Sequence, residues 1–276
     1  MADSPQQMLR RAGLQAKKSW GQNFLHDPGV LERIAEEALL RPGEPCLELG
    51  AGLGHLTRML LASGARVVAV ERDRELAEVL RGLQLPGLTV LEANAAELDF
   101  ARAAQAPQVV VVGNLPYHLS SPILFEVLEQ VEAVPRAVFT LQKEVVERLA
   151  AEPGSRDYGL LTVLLGLRYR VVHCFDVPRG LFHPPPQVDS AVVRLDRLAA
   201  PRAPVVDPQR FRKVVKAGFA HRRKTLLNSL QREPALEAFD LPAALAQARV
   251  DGSRRAETLS VEEFAALERA LSPGAG

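Results

Sequence analysis

Cysteine is scarce in this 276-residue chain, with Cys46 and Cys174 the only two. They stand far apart, with no histidine or second cysteine at ligand spacing. That argues against a disulfide framework or zinc site and for reduced thiols in a cytosolic protein. His55, His118, His173 and His183 are likewise scattered, so no metal is expected and helix-surface or loop roles suit them. Long apolar runs are missing too. None approaches the length that spans a bilayer, and Met1 to Gln15 is polar, without a signal-like stretch. There is no internal repeat and no low-complexity tract. Charge of one sign is not in excess: the net charge is +1, which by itself does not point to nucleic acid. Arginine outnumbers lysine 28 to six. That bias suits phosphate, but a GC-rich genome also produces it, so it decides nothing.

What is present is an ordinary globular composition, 47% apolar and 24% charged, in a chain long enough for one large domain and a small one. Residues 1–15 read as loose, followed by the basic, polar and aromatic stretch from Lys17 to Leu25. Asp27-Pro28 opens a helix whose apolar face is Val30, Ile34, Ala38 and Leu39. Short strands then alternate with helices: Cys46–Leu49, Val67–Val70, Leu88–Leu91, Val109–Val112 and one opened by Ala137-Val138-Phe139. That alternation predicts an α/β fold with a doubly wound parallel sheet. After Tyr158 come a helix over 160–167 and two strands, 169–177 and 188–195, expected to pair antiparallel at the sheet edge. The Ala/Pro-rich stretch 199–206 reads as a linker. Beyond it only helices are expected, over 208–220, 224–231, 242–248 and 261–271. The expected division is therefore an N-terminal segment 1–28, a sheet domain 29–198, a linker 199–206 and a helical domain 207–276.

The chemistry is expected around Asn114-Leu115-Pro116-Tyr117. Four valines and Gly113 precede it, reading as a strand buried on both faces. Ser120 or Ser121 with Pro122 looks like the N-cap and first turn of a helix over 123–131. The tetrapeptide thus sits at the carboxyl end of a central strand, where open α/β sheets place their sites. An amide, a free proline carbonyl and a flat ring can there hold an amino-bearing nucleobase: two acceptors for the amine, one ring for stacking. Taken alone, the same residues are also an ordinary turn.

The turn Gly50-Ala51-Gly52-Leu53-Gly54 permits close backbone approach to a ligand. Glu71 ends the next strand, where a carboxylate accepts from ribose hydroxyls. A dinucleotide fingerprint would want a further glycine where His55 stands, so an adenosine ligand without pyrophosphate fits better. Glu48 reads as a structural buried carboxylate or as a residue that orients the loop.

Glu48 to Gly54 with Leu56-Thr57, then Asn114 to Tyr117, resembles the S-adenosylmethionine-dependent adenine-N6 methyltransferases. Gly21-Gln22-Asn23-Phe24-Leu25, Leu141-Gln142-Lys143-Glu144-Val145, the block Phe182 to Val192 and His221-Arg222-Arg223-Lys224-Thr225-Leu226 narrow it further. Together they look like the KsgA family, bacterial 16S rRNA adenine dimethyltransferases, over about Lys17 to Leu271. Erm enzymes and mitochondrial transcription-factor relatives share the first half. The resemblance implies a Rossmann-like class I methyltransferase sheet with a small all-helical C-terminal domain. Its cofactor would be S-adenosylmethionine, and its substrate two adjacent adenosines in the 3′-terminal hairpin loop of 16S rRNA in an immature 30S particle. A cytoplasmic monomer without a membrane partner is expected. Asn23 and Leu25 would close over the methionine end, Gly50 would approach it, Glu71 would hold the ribose, and Asn114 would lie near the methyl. Phe182 would face the base opposite Tyr117, although it reads equally well as a core residue under a rigid turn. Asn94 stands where the family usually has Asp against the cofactor's adenine amine, which implies weaker binding for want of charge assistance.

Residues 202–232 hold nine Lys/Arg against the single acid Asp207. A charge run is usually a solvated face, but beside a base-modifying domain phosphate contact is the better reading, with Arg222, Arg223 and Lys224 at its centre. Two rival functions stay open: methylation of a large-subunit rRNA adenine, and a non-catalytic assembly factor that keeps the fold.

Overall fold

Short β-branched runs separated by amphipathic stretches build a seven-stranded sheet in the computed structural model, which describes residues 3–221 and 223–271. In chain order the strands are β1 (Phe24–Leu25), β2 (Pro45–Leu49), β3 (Arg66–Glu71), β4 (Leu88–Glu92), β5 (Val110–Asn114), β6 (Arg136–Gln142), β7 (Tyr169–Val177), β8 (Phe182–His183) and β9 (Ser190–Arg197). The helices are α1 (Pro5–Arg11), α2 (Pro28–Glu37), α3 (His55–Ala62), α4 (Arg74–Gly82), α5 (Phe100–Ala104), α6 (Ser120–Glu129), α7 (Lys143–Leu149), α8 (Leu160–Arg168), α9 (Pro208–Phe219), α10 (Leu226–Leu230), α11 (Leu241–Ala248) and α12 (Val261–Ala270).

The sheet order is β4-β3-β2-β5-β6-β9-β7, parallel from β4 to β6, with β9 antiparallel to β6. β9 is thus inserted beside β6 and leaves β7 on the edge. The winding reverses between β2 and β5, and such a switch point opens a crevice at the carboxyl ends of the strands. Val109 to Val112 are all essentially buried, as a strand covered on both faces requires. One core cluster joins Cys46, Val67, Val110, Val112, Val138 and Val192 of the sheet to Ile34 of α2 and Leu56 and Leu60 of α3.

The chain divides into two compact units, Met1–Val146 with Val172–Arg197, and Glu147–Val171 with Leu198–Gly276. The helical unit therefore begins earlier than expected and takes α8 from the span 29–198. The reason is burial: Thr162 to Leu167 are enclosed on every side of α8, which packs on α9 and α12. The stretch 199–206 is not a free linker either. Arg202 N–H donates to Leu167 O at 2.8 Å, Ala203 is buried, and Val206 N–H donates to Glu268 Oε2 at 3.0 Å.

Three local expectations also change. Residues 5–11 are helical rather than loose, because Ser4 and Gln7 form a capping box and Leu9 buries against Phe24, Leu53 and Leu76. Leu39 leaves the apolar face of α2, taking φ +48° and half-exposing itself past the helix end. Ser120 does not cap α6. A 3₁₀ turn over Tyr117–Leu119 runs straight into the helix, so Ser120 is its first residue and is buried.

Candidate active site

β2 ends at Leu49, and Gly50 and Gly52 follow with φ +72° and +57°, a region side chains disfavour. A Cβ on Gly52 would also lie 3.1 Å from the Phe24 ring. The turn aims its amides at the end of β3. There Glu71 Oε2 accepts from Gly52 N–H and Oε1 from Asp73 N–H, each at 2.9 Å. Each oxygen keeps a further lone pair, so two vicinal hydroxyls can still be received. Burial raises the Glu71 pKa, against the opposing pull of these backbone donors.

Glu48, next to the turn, is buried and accepts from Thr57 Oγ1 at 2.6 Å. Burial pushes its pKa from 4.5 up to about 8, with the Thr57 bond working the other way. Folded chains hold this proton to about pH 8, while unfolded ones release it near 4.5. Its contribution to stability is therefore complete below pH 4.5 and is lost as pH rises towards 8. Glu48→Gln, which keeps an acceptor for Thr57, is expected to flatten the fall in thermal midpoint between about pH 6 and about pH 8. A fall as steep as in the unaltered chain would refute this.

At the end of β5, Asn114 Nδ2 donates to Asn23 O at 3.1 Å. Because that carbonyl can only accept, the amide is fixed with Oδ1 turned away from it as a ready acceptor. The Pro116 carbonyl is not free, as the sequence suggested. It accepts from Leu119 N–H at 2.9 Å, closing the 3₁₀ turn, and keeps one lone pair. Tyr117 OH lies 2.8 Å from Ser190 Oγ, which anchors the far end of its ring. Burial raises the Tyr117 pKa, so the phenol stays neutral and its face stays available for stacking.

Residues 17–25 cross the cavity as a strap. Asp73 accepts from Lys17 Nζ and Gln22 Nε2, each at 2.9 Å. Trp20 has Lys17 and Arg72 each 5.2 Å from its ring centre. β1 pairs antiparallel with β8, placing Leu25 opposite Phe182. Phe182 is buried in the core cluster together with Leu25 and also lines the cavity.

Asn23, Leu25, Gly50, Glu71, Asn94, Asn114, Pro116, Tyr117 and Phe182 all line this one cavity. Reading the sequence missed Asp73, Gln22 and Ser190 as its supports. In the sequence Asp73 marks only the cap of α4, and Gln22 and Ser190 stand inside the blocks Gly21–Leu25 and Phe182–Val192 without a role of their own. His55 and His118, expected in surface or loop roles, also line the wall.

In the helical unit Lys213, Lys216, Arg223 and Lys224 are exposed, while Arg222 lies outside the described residues. Arg210 does not belong to that basic set. Its Nε and Nη2 donate to the fully buried Glu268 at 3.0 and 2.6 Å.

A largely parallel sheet with a glycine turn after β2, a buried carboxylate with acceptors to spare at the end of β3 and an amide-carbonyl-ring loop after β5 defines a class I methyltransferase using S-adenosylmethionine. The residues present suit that cofactor: Glu71 has acceptors to spare, and Gly50 and Gly52 leave room for backbone approach. Residues 13–270 match the family model for ribosomal RNA adenine dimethylase. The chain belongs to that family. It is 62% identical to ribosomal RNA small subunit methyltransferase A of Myxococcus xanthus over 98% of this chain and 96% of that one. It is 43% identical to the protein of the same description in Pseudomonas aeruginosa, over 93% and 95%. Among solved structures, a Plasmodium falciparum dimethyladenosine transferase superposes with TM-score 0.74 at 26% identity, over 88% of this chain and 95% of that one. The 23S rRNA methyltransferase ErmE does so with TM-score 0.68 at 32% identity, over 90% and 99%.

Proposed function

We propose that the chain methylates N6 of two adjacent adenosines in the 3′-terminal hairpin loop of 16S rRNA, giving dimethyladenosines, on an immature 30S particle. It acts in the cytoplasm and as a monomer. The observation that carries the reading is the orientation of the Asn114 amide, whose Nδ2 is held by Asn23 O so that Oδ1 is left as the acceptor, in a cavity that Pro116 and Tyr117 also line. The small-subunit description of the 62%-identical relative favours this substrate over large-subunit rRNA.

S-adenosylmethionine supplies an already charged electrophile, so neither a metal nor a covalent enzyme intermediate is required. The barrier lies in the adenine amine, whose lone pair is delocalised into the ring. Asn114 Oδ1 and the remaining Pro116 lone pair accept its two protons and favour a pyramidal nitrogen. Orientation and preorganised acceptors of this kind are worth several kcal/mol. Tyr117, fixed by Ser190, stacks on one face of the base, and Phe182 bounds the other. Leu25 and Asn23 close the strap over the reacting end. A second transfer uses an amine with one donor fewer, so the pocket must admit a methyl where an acceptor met a proton.

Incubation with labelled cofactor and unmethylated small or large ribosomal particles, followed by mapping of the label, tests the reading. Label at the paired adenosines is expected. Label on large-subunit RNA, or none, would overturn it.

The exposed cations Lys213, Lys216, Arg223 and Lys224, with Arg222, are proposed to bind phosphate. Arg222→Glu with Arg223→Glu should weaken RNA binding and reduce the slope of log affinity against log salt by about 0.7 or more for each phosphate no longer neutralised. Cofactor affinity should stay unchanged. An unaltered slope would discard the claim.

A further inference from the structure

Asn94 lines the cavity at the carboxyl end of β4 and caps the short 3₁₀ turn Ala95–Glu97. Its Oδ1 accepts from Ala96 N–H at a long 3.3 Å, and its Nδ2 donates to Glu97 Oε1 at 2.5 Å. A side-chain amide has one shape but two chemistries, and turning it over exchanges a donor for an acceptor. Ala96 N–H calls only weakly for the oxygen. The Glu97 carboxylate can only accept, and a charged partner makes the stronger bond. Glu97 is exposed, does not line the cavity and is otherwise an ordinary surface side chain.

We infer that Glu97 is a positioning residue of the cofactor site, drawing Asn94 Nδ2 to its carboxylate so that Oδ1, held only by the long bond from Ala96 N–H, accepts from a 6-amino purine and rejects a 6-oxo one. The inference rests on the reading that Asn94 faces the cofactor's adenine. An amide whose N–H is drawn by a carboxylate carries more negative charge on its oxygen, since linked hydrogen bonds polarise one another. Glu97 thus returns, at one remove, the charge assistance that Asn94 considered alone was expected to lack. It also changes the expectation for Asn94→Asp. An aspartate there would set two carboxylates within hydrogen-bond reach, and their repulsion offsets the gain from a charged acceptor.

The test is calorimetric binding of S-adenosylhomocysteine and of its 6-oxo analogue S-inosylhomocysteine to the full chain, with no catalytic readout. Glu97→Ala should weaken the adenosyl ligand about three- to tenfold, the loss expected of one hydrogen bond. It should leave the inosyl ligand unchanged or tighter, because the freed amide can turn its N–H₂ towards a 6-oxo group. The adenosyl-to-inosyl preference therefore falls. Glu97→Gln, which can still offer an oxygen to Asn94, should recover part of it. Asn94→Ala is the control that separates the two layers. If it abolishes the preference while Glu97→Ala does not, the role of Glu97 is wrong and the site reading stands. If Asn94→Ala keeps the preference, Asn94 does not face the purine and both fall. Equal weakening of both ligands by Glu97→Ala, or tighter binding by Asn94→Asp with Glu97 in place, would also overturn the inference.

Discussion

Asn114→Ala should lower the single-turnover rate of methyl transfer about 10²–10³-fold, the usual loss when one preorganised polar group at a developing charge is removed. Cofactor affinity should change far less, by no more than about tenfold, because Asn114 gives the strap a single bond through Asn23 O. The split matters more than the size. An amide serving only to hold the strap would raise the cofactor Kd and leave the saturated rate intact. An amide that orients the reacting amine lowers the rate at saturating cofactor and RNA. Asn114→Asp separates the two duties further. The carboxylate keeps an acceptor for the amine but meets the Asn23 carbonyl with oxygen against oxygen, so it should lose strap closure as well as rate. A rate in Asn114→Ala within about threefold of the unaltered chain would remove the basis of the mechanism.

Much of that site was legible before any coordinates. The valine run and its Gly113 marked a buried strand because only a parallel sheet hides both faces of such a segment. The glycine turn and Glu71 fell at the ends of neighbouring strands because strand-helix-strand units put every loop of one kind on one edge. Here β2, β3 and β5 deliver Gly50, Glu71 and Asn114 to the same crevice. What could not be read was the second layer. Asp73 bonds Lys17 and Gln22 across more than fifty residues of chain. Ser190 reaches Tyr117 only because β9 inserts beside β6. Neither relation leaves a local pattern.

The misreadings share one cause, which is composition standing in for backbone accounting. Residues 1–15 looked loose because they are polar, although Ser4 and Gln7 carried a capping signal. The burial of Leu9, which makes the helix worthwhile, is tertiary. The Ala/Pro stretch 199–206 looked free because its residues suit linkers, yet its amides have partners in Leu167 and Glu268. Pro122 suggested a helix start that the 3₁₀ turn at Tyr117 anticipates by several residues.

Arg210 shows the same error in charge, and it yields the largest expected loss of stability. Glu268 is wholly buried and receives four donors: Val206 N–H, Asp207 N–H, and Arg210 Nε and Nη2. Arg210→Ala leaves that carboxylate with its two backbone donors and no cation. The cost of breaking a buried pair from one side is about 3–5 kcal/mol. Arg210→Met with Glu268→Leu should cost less than the single change, because both charges leave the interior together. Recovery stays incomplete, since Val206 and Asp207 N–H then lose their acceptor. Urea unfolding followed by helix circular dichroism reports both units, since α1 to α6 belong to the sheet unit, while fluorescence of the sole tryptophan, Trp20, reports the sheet unit alone, and comparing the two isolates the helical transition. The helical transition should shift, and the Trp20 transition should shift less. Where Arg210→Ala remains folded, the salt slope of RNA binding should match that of the unaltered chain, because this guanidinium is engaged by Glu268 rather than by phosphate. A stability loss below about 1 kcal/mol, the range of exposed ion pairs, would return Arg210 to the solvated basic face.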